Sequence, residues 1–177
     1  MYYRSVLFLV ILMAIGLLGC QPRFAPESVS YLDDSVVLNL LEQMKQAIRA
    51  GDKLRWEGLF VQDAVIEYIT PEGVHVINQL EDIVKVMDEY MKFGRGFDIQ
   101  ILSQLVIVSD DGQSAVVERV SKELWLFDEQ YEDVSSEIEH YMEWKLVNGV
   151  PLIRKMVRKY HYRSALSETG KGSIAPM

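Results

Sequence analysis

Two side chains in the second half of the sequence could act as general bases, and a third could stabilise a developing oxyanion. Glu118 and His140 are the candidate bases, and Tyr68 is the candidate hydrogen-bond donor. Proton abstraction needs such groups to face an apolar pocket, because that environment tunes their pKa values. Each also has a structural interpretation: a rim salt bridge between Glu118 and Lys122, a hydrogen-bonded core histidine, and a half-buried tyrosine with a satisfied hydroxyl.

A wider set of polar residues interrupts the apolar alternation of the predicted strands. Buried charges must be paired or line a cavity, so polar side chains on a face that meets helices indicate a pocket. The predicted ligand-binding residues are Tyr68, Ser103, Glu118, Lys122, His140, Trp144 and Lys155. Matching apolar faces on neighbouring strands sets Lys122 near His140. The same register places Glu118 near Trp144.

Metal, cofactor and nucleic-acid sites are not expected. The 177-residue chain has one cysteine and three histidines without paired spacing, a pattern that does not suit a zinc site. Met44, Met87 and Met91 recur at helical spacing and are expected in the core rather than at a cofactor. The net charge of −8 argues against a general nucleic-acid binder, because phosphate binding needs a basic surface.

The elements that would hold these residues change from helical to extended along the chain. Apolar periodicity predicts a first helix that ends at Gly51, a short second helix carrying Trp56, and a third helix that begins near Asn78. Residues 61–69 form a predicted strand before the third helix. From residue 97 onward the apolar period is two, as in β-strands.

Two hairpin turns join the four long strands that follow, at residues 111–112 (Asp-Gly) and 148–149 (Asn-Gly). The second turn pairs Trp144 with Ile153 and, on the other face, Glu143 with Arg154. We therefore predict an α+β domain, in which about three helices pack on a curved, mostly antiparallel sheet. One strand precedes the third helix and four follow it.

Residues 59–66 (LFVQDAVI) and 141–149 (YMEWKLVNG) carry a resemblance to a known fold. With the order and lengths of the elements, they resemble the nuclear transport factor 2-like, or SnoaL-like, cone fold over roughly residues 34–162. The resemblance implies a pocket at the open end of the cone and a homodimer formed through the sheet. It does not imply one activity, because the fold hosts enzymes, transporters and binding modules. Ketosteroid isomerases of similar fold carry their catalytic aspartate late on the first strand, where this chain has Tyr68.

Residues 1–19 have the pattern of a secretory signal peptide. Arg4 precedes an apolar run over residues 6–18, which is too short to cross a bilayer as a helix. An uncleaved anchor, or an ordinary secretory signal followed by a chance cysteine, is the alternative.

The apolar run ends in residues 17–20 (LLGC), which resemble the lipobox of bacterial lipoproteins. That resemblance implies cleavage before Cys20, acylation of its thiol, and stable anchoring by several acyl chains. Gln21, rather than aspartate, favours an outer-membrane location facing the periplasm.

The predicted organisation is a signal peptide (1–19), a lipidated cysteine with a tether (20–33), a cone domain (34–163) and a flexible tail (164–177). We expect an envelope lipoprotein whose cone binds a small apolar ligand or a protein partner without catalysis. A SnoaL-like enzyme that isomerises, dehydrates or hydrolyses a small apolar substrate is the alternative. A third hypothesis is an accessory role in a secretion or envelope complex.

Overall fold

A long first helix and two shorter ones lie against a six-stranded sheet in the computed structural model, which describes residues 25–127 and 134–165. The helices are α1 (Asp34–Ala50), α2 (Lys53–Glu57) and α3 (Leu80–Phe93). The strands are β1 (Phe60–Thr70), β2 (Gly73–Ile77), β3 (Gly94–Val108), β4 (Ser114–Phe127), β5 (Val134–Val147) and β6 (Val150–Ala165).

Helix α1 forms where the sequence predicts it. The Asp33 carboxylate accepts a hydrogen bond from the Val36 amide at 2.8 Å, which satisfies one free donor of the first turn. The helix ends at Gly51. Its buried stripe consists of Val37, Leu40, Leu41, Met44 and Ala47. This stripe packs on the inner face of the sheet as part of one hydrophobic core.

The sheet has the strand order β2-β1-β6-β5-β4-β3. Strands β1 and β6 pair in parallel, and the other neighbouring strands pair in antiparallel fashion. The predicted α+β architecture with a curved sheet is confirmed. The sequence analysis missed β2, a short and largely exposed edge strand that pairs with β1.

The face of β4 that packs against the helices is not the predicted one. Its odd-numbered residues are buried, Val117, Trp125 and Phe127 among them, whereas Glu118 and Lys122 are exposed on the outer face. Both faces of β4 carry apolar residues at alternate positions, so the period of two does not identify the inner face. The face with the two large aromatic side chains buries more apolar area.

The register shifts at several β-bulges, and two of them, in β3 and β6, bear on the predicted site. In β3 the register shifts between Ile101 and Ser103, so Ile101 faces inward and Ser103 lies on the outer face. In β6 it shifts between Ile153 and Lys155. The predicted Trp144–Ile153 pair is confirmed, but Glu143 pairs with Lys155 instead of Arg154.

The segment before α1 packs on the domain. Val29 donates a backbone hydrogen bond to the Gly149 carbonyl at 2.8 Å, and Leu32 donates one to the Gly112 carbonyl at 2.7 Å. Leu32 is only 2% exposed. The ordered fold therefore begins before Asp34, inside the segment predicted as tether.

Several predicted features lie outside the described residues. They are the signal peptide (1–19), Cys20 with its lipobox, and residues 166–177 of the predicted tail. Among the helices of the described ranges, none has the length and hydropathy to cross a bilayer.

Candidate functional site: a charged cluster in the cone

A cavity of about 40 Å³ lies between the helices and the inner face of the sheet. Each helix and each strand except β2 contributes to its wall. The apolar lining consists of Leu41, Met44, Ile48, Trp56, Ile66, Met87, Phe97, Ile99, Trp125 and Met156. The polar lining consists of Lys45, Tyr68, Arg119, Glu123, His140 and Arg158. A space of this size has room for a few water molecules.

Glu123 is the centre of the polar lining. Its side chain is 4% exposed, and one carboxylate oxygen accepts a hydrogen bond from Arg158 Nη2 at 2.5 Å. The other oxygen lies 3.1 Å from His140 Nε2. Because both oxygens are engaged, Glu123 is held in one orientation at the cavity wall.

The order of the strands brings these residues together. Arg119 on β4, His140 on β5 and Arg158 on β6 are direct cross-strand neighbours. They therefore form one row across the middle of the sheet, with their side chains on its inner face. Glu123 is four residues beyond Arg119 on β4, so it faces the same way.

Burial and charge fix the protonation states of the central pair. Burial alone would raise the pKa of Glu123, but Arg158, then His140 and Arg119, lower that pKa by more, so the carboxyl group is ionised at neutral pH. Burial lowers the pKa of His140 to about 4, although Glu123 opposes the shift. The imidazole is thus neutral at pH 7, with Nε2 also 2.9 Å from Ser121 Oγ.

Arg158 is better compensated than Arg119, although its Nε is likewise buried without a hydrogen-bond partner among the described residues. In addition to its ion pair with Glu123, its guanidinium carbon lies 5.4 Å from the Tyr160 ring centroid and 6.0 Å from the Tyr68 centroid. Aromatic faces attract a cation at these distances. Burial also raises the pKa of Tyr68, so its hydroxyl stays protonated and can donate a hydrogen bond.

Arg119 is less well compensated, because the Glu123 carboxylate raises its pKa only from a distance and forms no ion pair with it in the described part of the chain. It is 7% exposed, and its Nε is buried without a hydrogen-bond partner among the described residues. Burial lowers its pKa to about 10, which still leaves it protonated at neutral pH. Arg119 and Arg158 face the single carboxylate of Glu123, so these three groups carry one net positive charge.

The structure brings together only part of the predicted site. Tyr68 and His140 line the cavity, and Trp144 lies on the inner face, 1% exposed within the core. Ser103, Glu118, Lys122 and Lys155 lie on the outer face, so their predicted placement in the pocket is wrong.

These placements are wrong because the predicted register between neighbouring strands was wrong. The true β4–β5 pairing places Arg119, not Lys122, opposite His140, and Ala115, not Glu118, opposite Trp144. Both pairings differ from the predicted ones by three residues, and an odd shift exchanges the two faces. Lys155 follows the β6 bulge and forms an ion pair with Glu67 at 2.8 Å on the outer face.

Three residues of the site were missed by the sequence analysis: Arg119, Glu123 and Arg158. The sequence does contain a pattern that could have identified two of them, and it lies just before the two aromatic residues at the end of β4. Counting back in steps of two from Trp125 gives Glu123, then residue 121, then Arg119 on one face. Within the described ranges, no group of three or more His, Cys, Asp and Glu residues is arranged to hold a metal ion.

Comparison with solved structures identifies the fold. A provisionally assigned scytalone dehydratase from Novosphingobium aromaticivorans superimposes with a TM-score of 0.62 at 14% identity, covering 81% of this chain and 97% of that one. A nuclear transport factor 2-like protein from Cytophaga hutchinsonii gives a TM-score of 0.56 at 16% identity, covering 73% and 99%. The chain has the nuclear transport factor 2-like cone fold.

A hexachlorocyclohexane dehydrochlorinase, LinA-type3, from Novosphingobium barchaimii is also similar, with a TM-score of 0.60, 12% identity, and coverage of 81% of this chain and 94% of that one. At such identities the likeness extends to the fold and not to the activity. No protein-family profile and no curated protein sequence matches the chain.

Proposed function

We propose that this protein is a lipid-anchored envelope protein whose cone binds a small, largely apolar ligand without transforming it. The observation that carries this proposal is the cavity itself, which is enclosed by aromatic and methionine side chains with polar groups at one wall. Small-molecule sites have this composition, in which an apolar lining supplies binding and a few polar groups set orientation.

The methionines support a cavity that adapts to its occupant. Met44, Met87 and Met156 line it from α1, α3 and β6. Methionine has a flexible, unbranched side chain that fills or vacates irregular space at low cost. A ligand larger than a few water molecules enters by displacing these side chains, and they fill the space again when it leaves.

The ligand would enter between α1 and β3. The half-buried lining residues Ile48, Phe97 and Ile99 lie there, beside Lys45, whose side chain is 29% exposed. Lys45 is paired with Glu42 at 2.5 Å, so the rim carries no excess charge at this position.

Blocking this entrance tests the binding function. Ile99→Trp places a large side chain at the mouth, and Ile107→Trp is the matched control on the outer face of the same strand. Calorimetric titration with hexanol and hexanamide should show saturable binding to the wild type and to Ile107→Trp, and at least about tenfold weaker binding to Ile99→Trp. Equal binding by all three proteins, or no binding to the wild type, would contradict the proposal.

The membrane anchor is tested separately at Cys20. In a bacterial host, Cys20→Ser should release the protein from the membrane fraction, because acylation needs the thiol. Ser30→Ala is a control in the same N-terminal segment and should leave the protein with the membrane. A membrane-bound Cys20→Ser variant that keeps its leader would instead indicate an uncleaved anchor.

An acid–base enzyme is the second candidate, and one contact favours it. Glu123 lies 3.1 Å from His140 at the cavity wall, and a carboxylate that orients a histidine is a common general-base arrangement. The protonation states favour binding instead, because a histidine with a pKa of about 4 is a weak base at neutral pH.

Isotope exchange separates the two candidates. In D₂O, an enzyme of this kind would exchange a carbon-bound proton of a small ketone, and His140→Ala would abolish the exchange. A binding protein would return the ketone unlabelled. Glu118→Gln, on the outer face, is the control that should leave either behaviour unchanged.

A further inference from the structure

We infer that the ligand of the cone is a small organic acid, whose carboxylate pairs with Arg119 while its apolar body occupies the methionine-lined space. The inference rests on the proposed binding function and specifies the chemical class of the ligand. It follows from the imbalance of charge inside the cavity.

Arg119 is a buried cation that the protein does not pair. No carboxylate lies within ion-pair distance of it in the described part of the chain, and its buried Nε donates to no group there. A buried ionised group without a partner is costly, and proteins usually provide a counter-charge or a hydrogen bond. A ligand carboxylate would supply both.

Its neighbours offset the charge of Arg119 only in part, since the nearby Glu123 carboxylate raises its pKa without pairing with it. Among the described residues that line the cavity, Glu123 is the one carboxylate, and Arg158 engages it directly. His140, opposite Arg119 in the ladder, is neutral at pH 7, and Lys45 at the rim is already paired with Glu42. The wall around Arg119 is therefore positive, in a chain whose net charge is −8.

The rest of the lining favours an organic acid over an inorganic anion. Opposite the charged row, the wall consists of side chains such as Met44, Met87 and Ile48, which offer no hydrogen bonds to a fully hydrated anion. A molecule with one anionic end and an apolar body satisfies both sides. A guanidinium can bind a carboxylate through two parallel hydrogen bonds, which also fixes the orientation of the ligand.

Matched pairs of acid and amide test the inference. Butyrate and hexanoate are compared with butyramide and hexanamide, which have the same shape without the charge. Titrations at pH 7.5 use the wild-type domain, Arg119→Met, which removes the charge at similar length, and Lys122→Met. Lys122 is three residues further along β4 on the outer face and is the control. Chloride is included as an inorganic anion.

The wild type and Lys122→Met should bind each acid at least about tenfold more tightly than its amide, because a hydrogen bond to a charged group is stronger than a neutral one. Arg119→Met should reduce that preference to less than about threefold while leaving the amide affinity unchanged. Arg119→Lys, which keeps a cation, should retain part of the preference. Chloride should compete weakly.

Equal binding of acids and amides by the wild type would overturn the inference and leave the proposed binding function standing. A preference that survives in Arg119→Met would overturn it as well. Binding of chloride as tight as that of hexanoate would assign the site to inorganic anions. If neither acids nor amides bind, the proposed function fails together with the inference.

Stability provides a second readout that does not require a ligand. Arg119→Met should not lower the Tm of the ligand-free domain, because it removes an unpaired buried charge. A Tm several degrees below that of the wild type would show that Arg119 is paired within the fold, which contradicts the inference.

Discussion

Arg119 and His140 lie directly opposite each other on β4 and β5, and both side chains face the interior of the cone. One is a buried cation and the other a buried neutral base. Arg158 follows His140 in the same row, on β6. Central strands of a sheet are among the last parts of a fold to open, so we expect the charges of this row to stay in place whether or not the cavity is occupied.

Acidification should destabilise the domain between pH 6.5 and about 4. In the unfolded chain His140 takes up a proton below its ordinary pKa of 6.5, whereas the folded protein resists protonation down to about pH 4. Stability is therefore lost as the pH falls through this window, up to roughly 3 kcal/mol. Glu123, whose pKa is lowered by folding, adds a loss in the same direction below pH 4.5.

Urea unfolding at pH 7.5, 6.0 and 5.0 measures this effect. His140→Gln should flatten the dependence in this window, while His75→Gln, at an exposed position on β2, should retain it. An equally steep decline in His140→Gln would show that another group is responsible.

Glu123→Gln should destabilise the domain by about 3–5 kcal/mol, because it leaves Arg158 buried without its counter-charge. Glu118→Gln makes the same chemical change on the outer face of β4 and should cost within about 0.5 kcal/mol. Chemical denaturation of the two variants measures the difference. Replacing Glu123 and Arg158 together by leucine should recover much of the loss, and failure to do so would assign the loss to something other than the broken pair.

Gly112→Ala should loosen the segment before α1. A Cβ at this position would lie 2.8 Å from Tyr31 Cβ, at a backbone φ of +64°. Gly51→Ala is the control, because φ there is +63° and no atom lies within 4 Å of the added Cβ. Both variants place alanine in a left-handed backbone conformation, so this strain is common to the two. Gly112→Ala adds the close contact with Tyr31, and it should therefore be the less stable variant by about 1 kcal/mol.

Hydrogen exchange separates the local effect from the global one. The Leu32 amide donates a hydrogen bond to the Gly112 carbonyl. After correction for the change in global stability, this amide should exchange faster in Gly112→Ala than in the wild type, and at the wild-type rate in Gly51→Ala. Similar protection of Leu32 in both variants would count against a docked N-terminal segment.

We propose that the domain forms a homodimer through the outer face of the sheet. Leu105 and Ile107 are 52% and 51% exposed there, a large apolar surface for a monomer. Leu105→Glu should convert the dimer to a monomer in light scattering at micromolar concentrations. Val74→Glu, exposed on the edge strand β2, should remain dimeric. A monomeric wild type would contradict the proposal.

Local signals in the sequence were sufficient for the helices and one hairpin. Asp33 and Gly51 mark the ends of α1, and the Asn-Gly turn at residues 148–149 sets the Trp144–Ile153 pair. In each case the deciding interactions are close in sequence, so residue type and spacing determine the outcome.

The placement of the site could not be predicted in the same way. The bulges at Leu102 and Arg154 have no glycine or proline to mark them, and each shifts the residues that follow to the other face. The Glu123–Arg158 pair joins residues 35 apart and depends on the register of β4, β5 and β6 together. Contacts of this kind are decided by packing of the whole sheet rather than by local pattern.

The most direct test of a ligand-binding cone is a crystal structure of the domain purified without denaturation from a native source. We expect density for a bound organic molecule among Met44, Met87 and Met156, with its polar end near Arg119. A cone that contains only ordered water and its own side chains, in crystals grown from protein never exposed to denaturant, would contradict the proposal.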